Sequence, residues 1–124
     1  MAKIIMIVDD SALMRASLKA NLEMGGFKVE FAGDGVLALT QLKSGVKPDL
    51  IISDINMPNM GGLEFIRNLR TLPGFRFTPV LVLTTESAQD KKNEAKKHGA
   101  TGWLVKPLSG PDLIKVIKQV LPGA

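Results

Sequence analysis

The chain has 124 residues, a formal net charge of +4 and no cysteine; 45% of it is hydrophobic but only 5% aromatic. That length fits one domain, 1–124, with an aliphatic core and no room for an output domain. The lack of cysteine excludes a disulfide framework and any thiolate metal site.

The first apolar run, Ile4–Val8, stops at Asp9-Asp10. It is too short for a secretory leader or a membrane span, so a cytoplasmic protein without a membrane partner is expected. Met14, Leu18 and Leu22 then recur every four residues, predicting a helix that Gly25-Gly26 stops. In the second run Phe27, Val29 and Phe31 alternate with Lys28 and Glu30, the pattern of a half-exposed edge strand. A second helix is expected over Val36–Leu42, a third run at Leu50–Ser53, a third helix at Leu63–Leu69 and a fourth run at Val80–Leu83. The fourth helix, Ser87 to His98, has almost nothing apolar beyond Ala88 and Ala95 and should be weakly anchored. Its Lys91, Lys92, Lys96 and Lys97 read as a solvated face, and no nucleic-acid partner is expected. After the fifth run, Trp103–Val105, the fifth helix carries a stripe of Leu113, Val116, Ile117 and Val120. Ser109 and Asp112 form its capping box and Pro111 lies in its first turn. Five β-α units with such crossovers imply an α/β fold, a parallel sheet with helices on both faces.

In such sheets ligands bind beyond the carboxyl ends of the strands. There the first run is followed by Asp9-Asp10, the third by Asp54, the fourth by Thr84-Thr85 and the fifth by Lys106-Pro107. Three converging carboxylates repel one another unless cations offset them. One lysine and a hard dication do so, and magnesium, or manganese in its place, suits an oxygen-ligand site that keeps several waters. Asp54 can then act as a nucleophile forming an aspartyl-phosphate, with Lys106, Thr84 and the metal holding the phosphoryl oxygens.

The segments Val8-Asp9-Asp10-Ser11, Ser53-Asp54-Ile55-Asn56-Met57-Pro58, Leu83-Thr84-Thr85-Glu86 and Val105-Lys106-Pro107 together resemble the signature set of the response-regulator receiver family. In length and spacing the chain is similar to the CheY-like chemotaxis regulators within it. The resemblance implies a flavodoxin-like, doubly wound sheet of order 2-1-3-4-5 with five helices, and a cis bond between Lys106 and Pro107. It implies that Asp54 is the phosphoacceptor, and that Asp10, Asp54 and the Asn56 backbone carbonyl bind the metal while Asp9 holds its waters. Thr84 would follow the phosphoryl group and Lys106 would ion-pair with it. Trp103 stands at the switch position, where the family commonly has tyrosine or phenylalanine. Asn56 and Glu86 would flank the path of attacking water and tune dephosphorylation. The implied protein is not an enzyme but a monomeric switch in two-component signalling. Its input is a sensor histidine kinase of the CheA type. Its output is a flagellar motor-switch protein, or another effector, on the face of the fourth helix, fifth strand and fifth helix, and a phosphatase is a further partner.

Other readings compete. A single-domain phosphorelay intermediate would share the same site. A haloacid-dehalogenase-type phosphatase would use Asp54, Thr84 and Lys106, but it needs an aspartate two residues after the nucleophile, where this chain has Asn56. A flavin carrier is disfavoured because the carboxylates would repel the flavin phosphate. Gly33-Asp34-Gly35-Val36-Leu37-Ala38 matches a dinucleotide fingerprint in its alanine variant. Asp34 would face the pyrophosphate with negative charge, so this segment reads as a turn with small-residue packing. His98, just before Gly99, reads as a structural helix-end cation.

Overall fold

A computed structural model describes residues 2–121 and Gly123. Elements alternate strictly: β1 (Ile4–Val8), α1 (Ala12–Met24), β2 (Lys28–Ala32), α2 (Gly35–Lys43), β3 (Leu50–Ser53), α3 (Gly62–Leu69), β4 (Val80–Thr84), α4 (Gln89–His98), β5 (Gly102–Val105) and α5 (Gly110–Val120). All strand pairs are parallel and the order is β2-β1-β3-β4-β5, as the resemblance implied.

Strand side chains alternate between the faces of the sheet. Ile5 and Ile7 of β1 pack with Leu18 and Leu22 of α1 and with Leu113 and Ile117 of α5. Met6 and Val8 point the other way, into a layer with Leu39 of α2, Phe65 of α3 and Ala95 of α4. Every residue of β3 and β4 is buried, which explains their unbroken aliphatic runs. β2 is an edge with its lysine and glutamate exposed, as the alternation predicted. β5 is the other edge, half-exposed along most of its length.

Element ends shift by a residue or two for identifiable reasons. The Phe27 N–H donates to the Leu22 carbonyl and closes the end of α1, so β2 starts at Lys28, whose N–H donates to Lys3. Gly26, with φ of +90°, makes the left-handed turn of the Gly-Gly stop. α4 begins at Gln89 rather than Ser87, because Ala88 is still extended and gives its N–H to the Glu86 carboxylate. Ala95 is the one residue of α4 that is buried. Part of its anchoring comes from outside: Arg70 donates to the carbonyls of Phe75, Thr78 and Gly99, tying the end of α4 to the loop before β4. On α5, Ser109 Oγ accepts from the Asp112 N–H at 3.2 Å and Pro111 occupies the first turn, as predicted.

The Gly33-Asp34-Gly35 segment is a turn in which Asp34 N-caps α2, accepting the Leu37 N–H at 2.9 Å. Its carboxyl is held below the ordinary carboxylate range, first by the Asn59 side chain and then by that N–H. Asp34→Ala should destabilise the fold by about 1–2 kcal/mol at pH 7, the usual worth of such a cap. A depressed folded pKa means the contribution is full above the unfolded value of about 3.9 and lost as pH falls through the folded value. Denaturant titrations of parent and variant should therefore converge as pH drops below about 4.

Candidate functional site

The hydrogen-bond ladder of the sheet runs one residue beyond several strands, and those residues are the polar ones. The Asp9 N–H donates to Ala32, that of Asp54 to Val8 and that of Lys106 to Thr84, at 3.0, 2.9 and 2.8 Å. Backbone pairing thus fixes where each side chain starts. Asp9 and Thr84 are buried and Asp54 and Lys106 are nearly so, at one end of an otherwise apolar sheet.

Lys106 joins the cluster. Its Nζ lies 3.0 Å from Asp9 Oδ2 and 2.9 Å from Asp54 Oδ2. The remaining oxygens accept main-chain donors: Asp9 Oδ1 takes the Ser11 N–H at 2.9 Å and Asp54 Oδ1 the Ile55 N–H at 2.6 Å. Burial alone would raise the Asp54 pKa, but Lys106, the Thr84 hydroxyl and the Ile55 N–H outweigh it and hold the carboxyl below its ordinary value. Burial likewise opposes the charge on Lys106, and the hydrogen bonds it donates to Asp54 and Asp9 overcome it, raising its pKa. The resting site therefore keeps Asp54 ionised, with one ammonium clasping it together with Asp9. The Lys106-Pro107 bond is cis.

On the neighbouring strand end, Thr84 Oγ1 accepts the Glu86 N–H at 3.2 Å. The Glu86 carbonyl in turn accepts the Trp103 indole N–H at 3.1 Å, so one residue connects the threonine to the half-buried tryptophan. Asp10 and Asn56 stand on the exposed rim. His98 is away from this cluster, on α4, 3.7 Å from Glu94 one turn earlier.

The profile of the response regulator receiver domain matches residues 5–118. The chain is 35% identical to chemotaxis protein CheY-3 of Vibrio cholerae over 117 residues, 94% of this chain and 89% of that protein. It superposes on the structure of Vibrio cholerae chemotaxis protein CheY4 with a TM-score of 0.92 at 43% identity, covering 98% of this chain and 100% of that one. This chain belongs to the response regulator receiver domain family. A more distant receiver, from a sensor histidine kinase of Pseudomonas aeruginosa with a magnesium ion coordinated in its active site cleft, shares the fold. It has a TM-score of 0.89 at 22% identity, covering 98% of each chain.

Whether this receiver's residues suit a dication can be judged from its donors. Among the described residues no three histidine, aspartate or glutamate side chains form a metal-binding group. A magnesium site does not need one, since that ion usually takes one or two carboxylates and keeps its waters. The surroundings of Asp54 favour its ionised form, Asp10 is exposed beyond the end of β1, the strand paired with β3, and no backbone N–H among the described residues is bonded to the Asn56 carbonyl. All are hard oxygen donors, and the single lysine leaves the acids short of positive charge. The set fits.

Some structural residues of the site were not foreseen from sequence. Arg15, on α1, donates from Nη1 to the Asp9 carbonyl at 2.7 Å and steadies the acidic turn. Gly62 lies against the acceptor loop so closely that a Cβ there would sit 2.1 Å from the Asp54 carbonyl oxygen. The Gly61-Gly62 pair in the rim turn was the available signal for that approach. Nothing in the spacing of Arg15 pointed to its carbonyl.

Proposed function

We propose that this receiver is a phosphorylation switch in two-component signalling, taking a phosphoryl group on Asp54 from a histidine kinase and changing a protein-binding face in response. The observation that carries the reading is the clasp of Lys106 on Asp9 and Asp54, which keeps a buried carboxylate ionised at a strand end. An Asp54 oxygen forms the new O–P bond as the P–N bond of phosphohistidine breaks, its electron pair leaving with the imidazole. Lys106 is placed to move from carboxylate to phosphoryl oxygen, and the Thr84 hydroxyl to donate to another. Asp10, Asp54 and the Asn56 carbonyl would hold magnesium, or manganese, with Asp9 on its waters; the ion supplies charge neutralisation for the phosphoryl oxygens.

If Thr84 turns toward the phosphoryl group, its bond to the Glu86 N–H is lost, and Glu86 holds Trp103 through its carbonyl. The face of α4, β5 and α5 then changes as a bistable unit. Similarity to the Vibrio cholerae chemotaxis proteins favours a CheA-like kinase as input and a flagellar motor-switch protein as output. Asn56 stands two residues after Asp54, where a dehalogenase-type phosphatase needs its acid/base aspartate, which supports a switch acting only on its own phosphoryl group rather than an enzyme.

Incubation with magnesium and a small acyl phosphate should add one phosphoryl group, detected by intact mass. A chain that gains none from any acyl phosphate or phosphohistidine donor would end the proposal. A pull-down with and without a phosphate mimic separates two settings: a partner preferring the mimic-bound form supports motor control, while partners indifferent to it support a phosphorelay intermediate.

Lifetime supplies a second measurement. Water reaching the phosphorus in line passes Asn56 and Glu86. The Glu86 carboxylate is turned into its own loop by the Ala88 N–H at 3.0 Å, whereas Asn56 is exposed at the rim. Asn56→Met should therefore slow loss of the phosphoryl group more than Glu86→Leu does. The expected slowing for Asn56→Met is about tenfold, equivalent to roughly 1.4 kcal/mol of barrier. Decay of labelled protein after donor removal measures it, and equal decay in parent and both variants would exclude control of water access by these side chains.

A further inference from the structure

The loop after Asp54, residues 55–61, is fastened at both ends by groups to which the phosphoacceptor chemistry gives no part. At the inner end the Gly62 N–H donates to the Ile55 carbonyl at 2.9 Å, and Gly62 has no space for a side chain. At the outer end Asp34, only 4% exposed, spends one carboxylate oxygen on the cap of α2 and the other on the Asn59 side-chain N–H, at 2.9 Å. The Gly35 N–H donates to the Met60 carbonyl at 3.1 Å, and the Met60 side chain fills the space a Cβ on Gly35 would need. Asn59, with φ of +65°, is the one non-glycine residue with positive φ among the described residues. Asparagine enters that region more readily than most residues, and here the carboxylate of Asp34, the N-cap of α2, holds it in place.

We infer that Asp34 and Asn59 are positioning residues that hook the acceptor loop onto α2 and thereby set the site's affinity for a divalent cation. The inference rests on the reading that Asp10, Asp54 and the Asn56 carbonyl bind that ion. A side-chain ligand can swing to meet a metal, but a main-chain carbonyl lies wherever its loop lies. Asn56 lies in the stretch between the neck, where Ile55 meets Gly62, and the hook at Asn59, one residue past the first and three before the second. With the hook removed, the ion must order the loop as it binds, and that ordering subtracts from affinity.

The test is a calorimetric titration of magnesium into unphosphorylated parent and variants, with no phosphodonor present. Asn59→Gly removes the amide while suiting positive φ, so a loss cannot be assigned to backbone strain. It should bind magnesium about five- to tenfold more weakly, and its rate of phosphorylation by an acyl phosphate should recover at saturating magnesium. Asp34→Asn keeps a capping oxygen and, with the Asn59 amide flipped, an amide–amide bond, so it should bind within about twofold of the parent. Ile117→Val, in the layer between α5 and the sheet, lowers stability without touching the loop and should leave affinity unchanged. Parent-like affinity in Asn59→Gly overturns the inference, as does an equal loss in Ile117→Val. A parent that binds no magnesium overturns instead the metal reading beneath it.

Discussion

Asp54→Asn should abolish phosphoryl transfer to the chain while leaving the fold in place. An amide oxygen can still accept the Ile55 N–H, and Lys106 keeps its contact with Asp9, so the local backbone has no reason to move. What disappears is the ionised nucleophile. Because the fold holds the Asp54 carboxyl below its ordinary value, the parent stays reactive wherever an ordinary carboxylate is ionised, above about pH 4, and loses reactivity only as pH falls through the folded value. The variant has nothing to ionise at any pH. Intact mass after incubation with magnesium and acyl phosphate, with circular dichroism as the check on folding, decides the matter. A phosphoryl group still gained by Asp54→Asn, for example on His98, would place the acceptor elsewhere.

Much of this architecture could be read from the chain because it follows from local pattern. β3 and β4 are buried on both faces and show it as unbroken aliphatic runs; β2 sits at an edge and shows it as alternation. The position of β5 at the other edge was not legible, since a run as short as Trp103–Val105 has too few residues to display a period. Strand order and the cis bond came from the family resemblance alone. The polar residues at the strand ends were visible because a sheet of this class directs them to one place. The side-chain contacts that fasten the surrounding loops and turns were not. Arg15 on the Asp9 carbonyl, Asn59 on Asp34 and Arg70 on three carbonyls are side-chain bonds set by tertiary distance. No spacing along the sequence encodes them.

Lys106→Ala should uncouple the switch: the chain still takes a phosphoryl group, but the conformational response is lost. In the resting site the Lys106 ammonium divides its bonds between Asp9 and Asp54, and the main-chain N–H of Lys106 donates to the Thr84 carbonyl. It therefore stands at the end of β5, three residues beyond Trp103, tied to the strand that carries the threonine. A phosphoryl group on Asp54 offers that ammonium a more highly charged partner, and the gain belongs only to the arrangement in which lysine and phosphoryl meet. Removing the lysine removes this differential contact, and a switch shifts only by the free energy that differs between its states. A hydrogen bond to a charged group is worth about 1.5–3 kcal/mol, so preference for the responding state should fall roughly ten- to hundredfold. The charge itself does not limit the response at neutral pH. Its folded pKa is raised, so the ion-pair contribution is full below the ordinary lysine value of about 10.4 and fades only as pH rises through the folded value. Trp103 fluorescence on phosphorylation, together with effector affinity of the phosphorylated form, provides the readout. If phosphorylated Lys106→Ala binds its effector as tightly as the phosphorylated parent, the ion pair is not the trigger, and the link from Thr84 through Glu86 to Trp103 must carry the signal unaided.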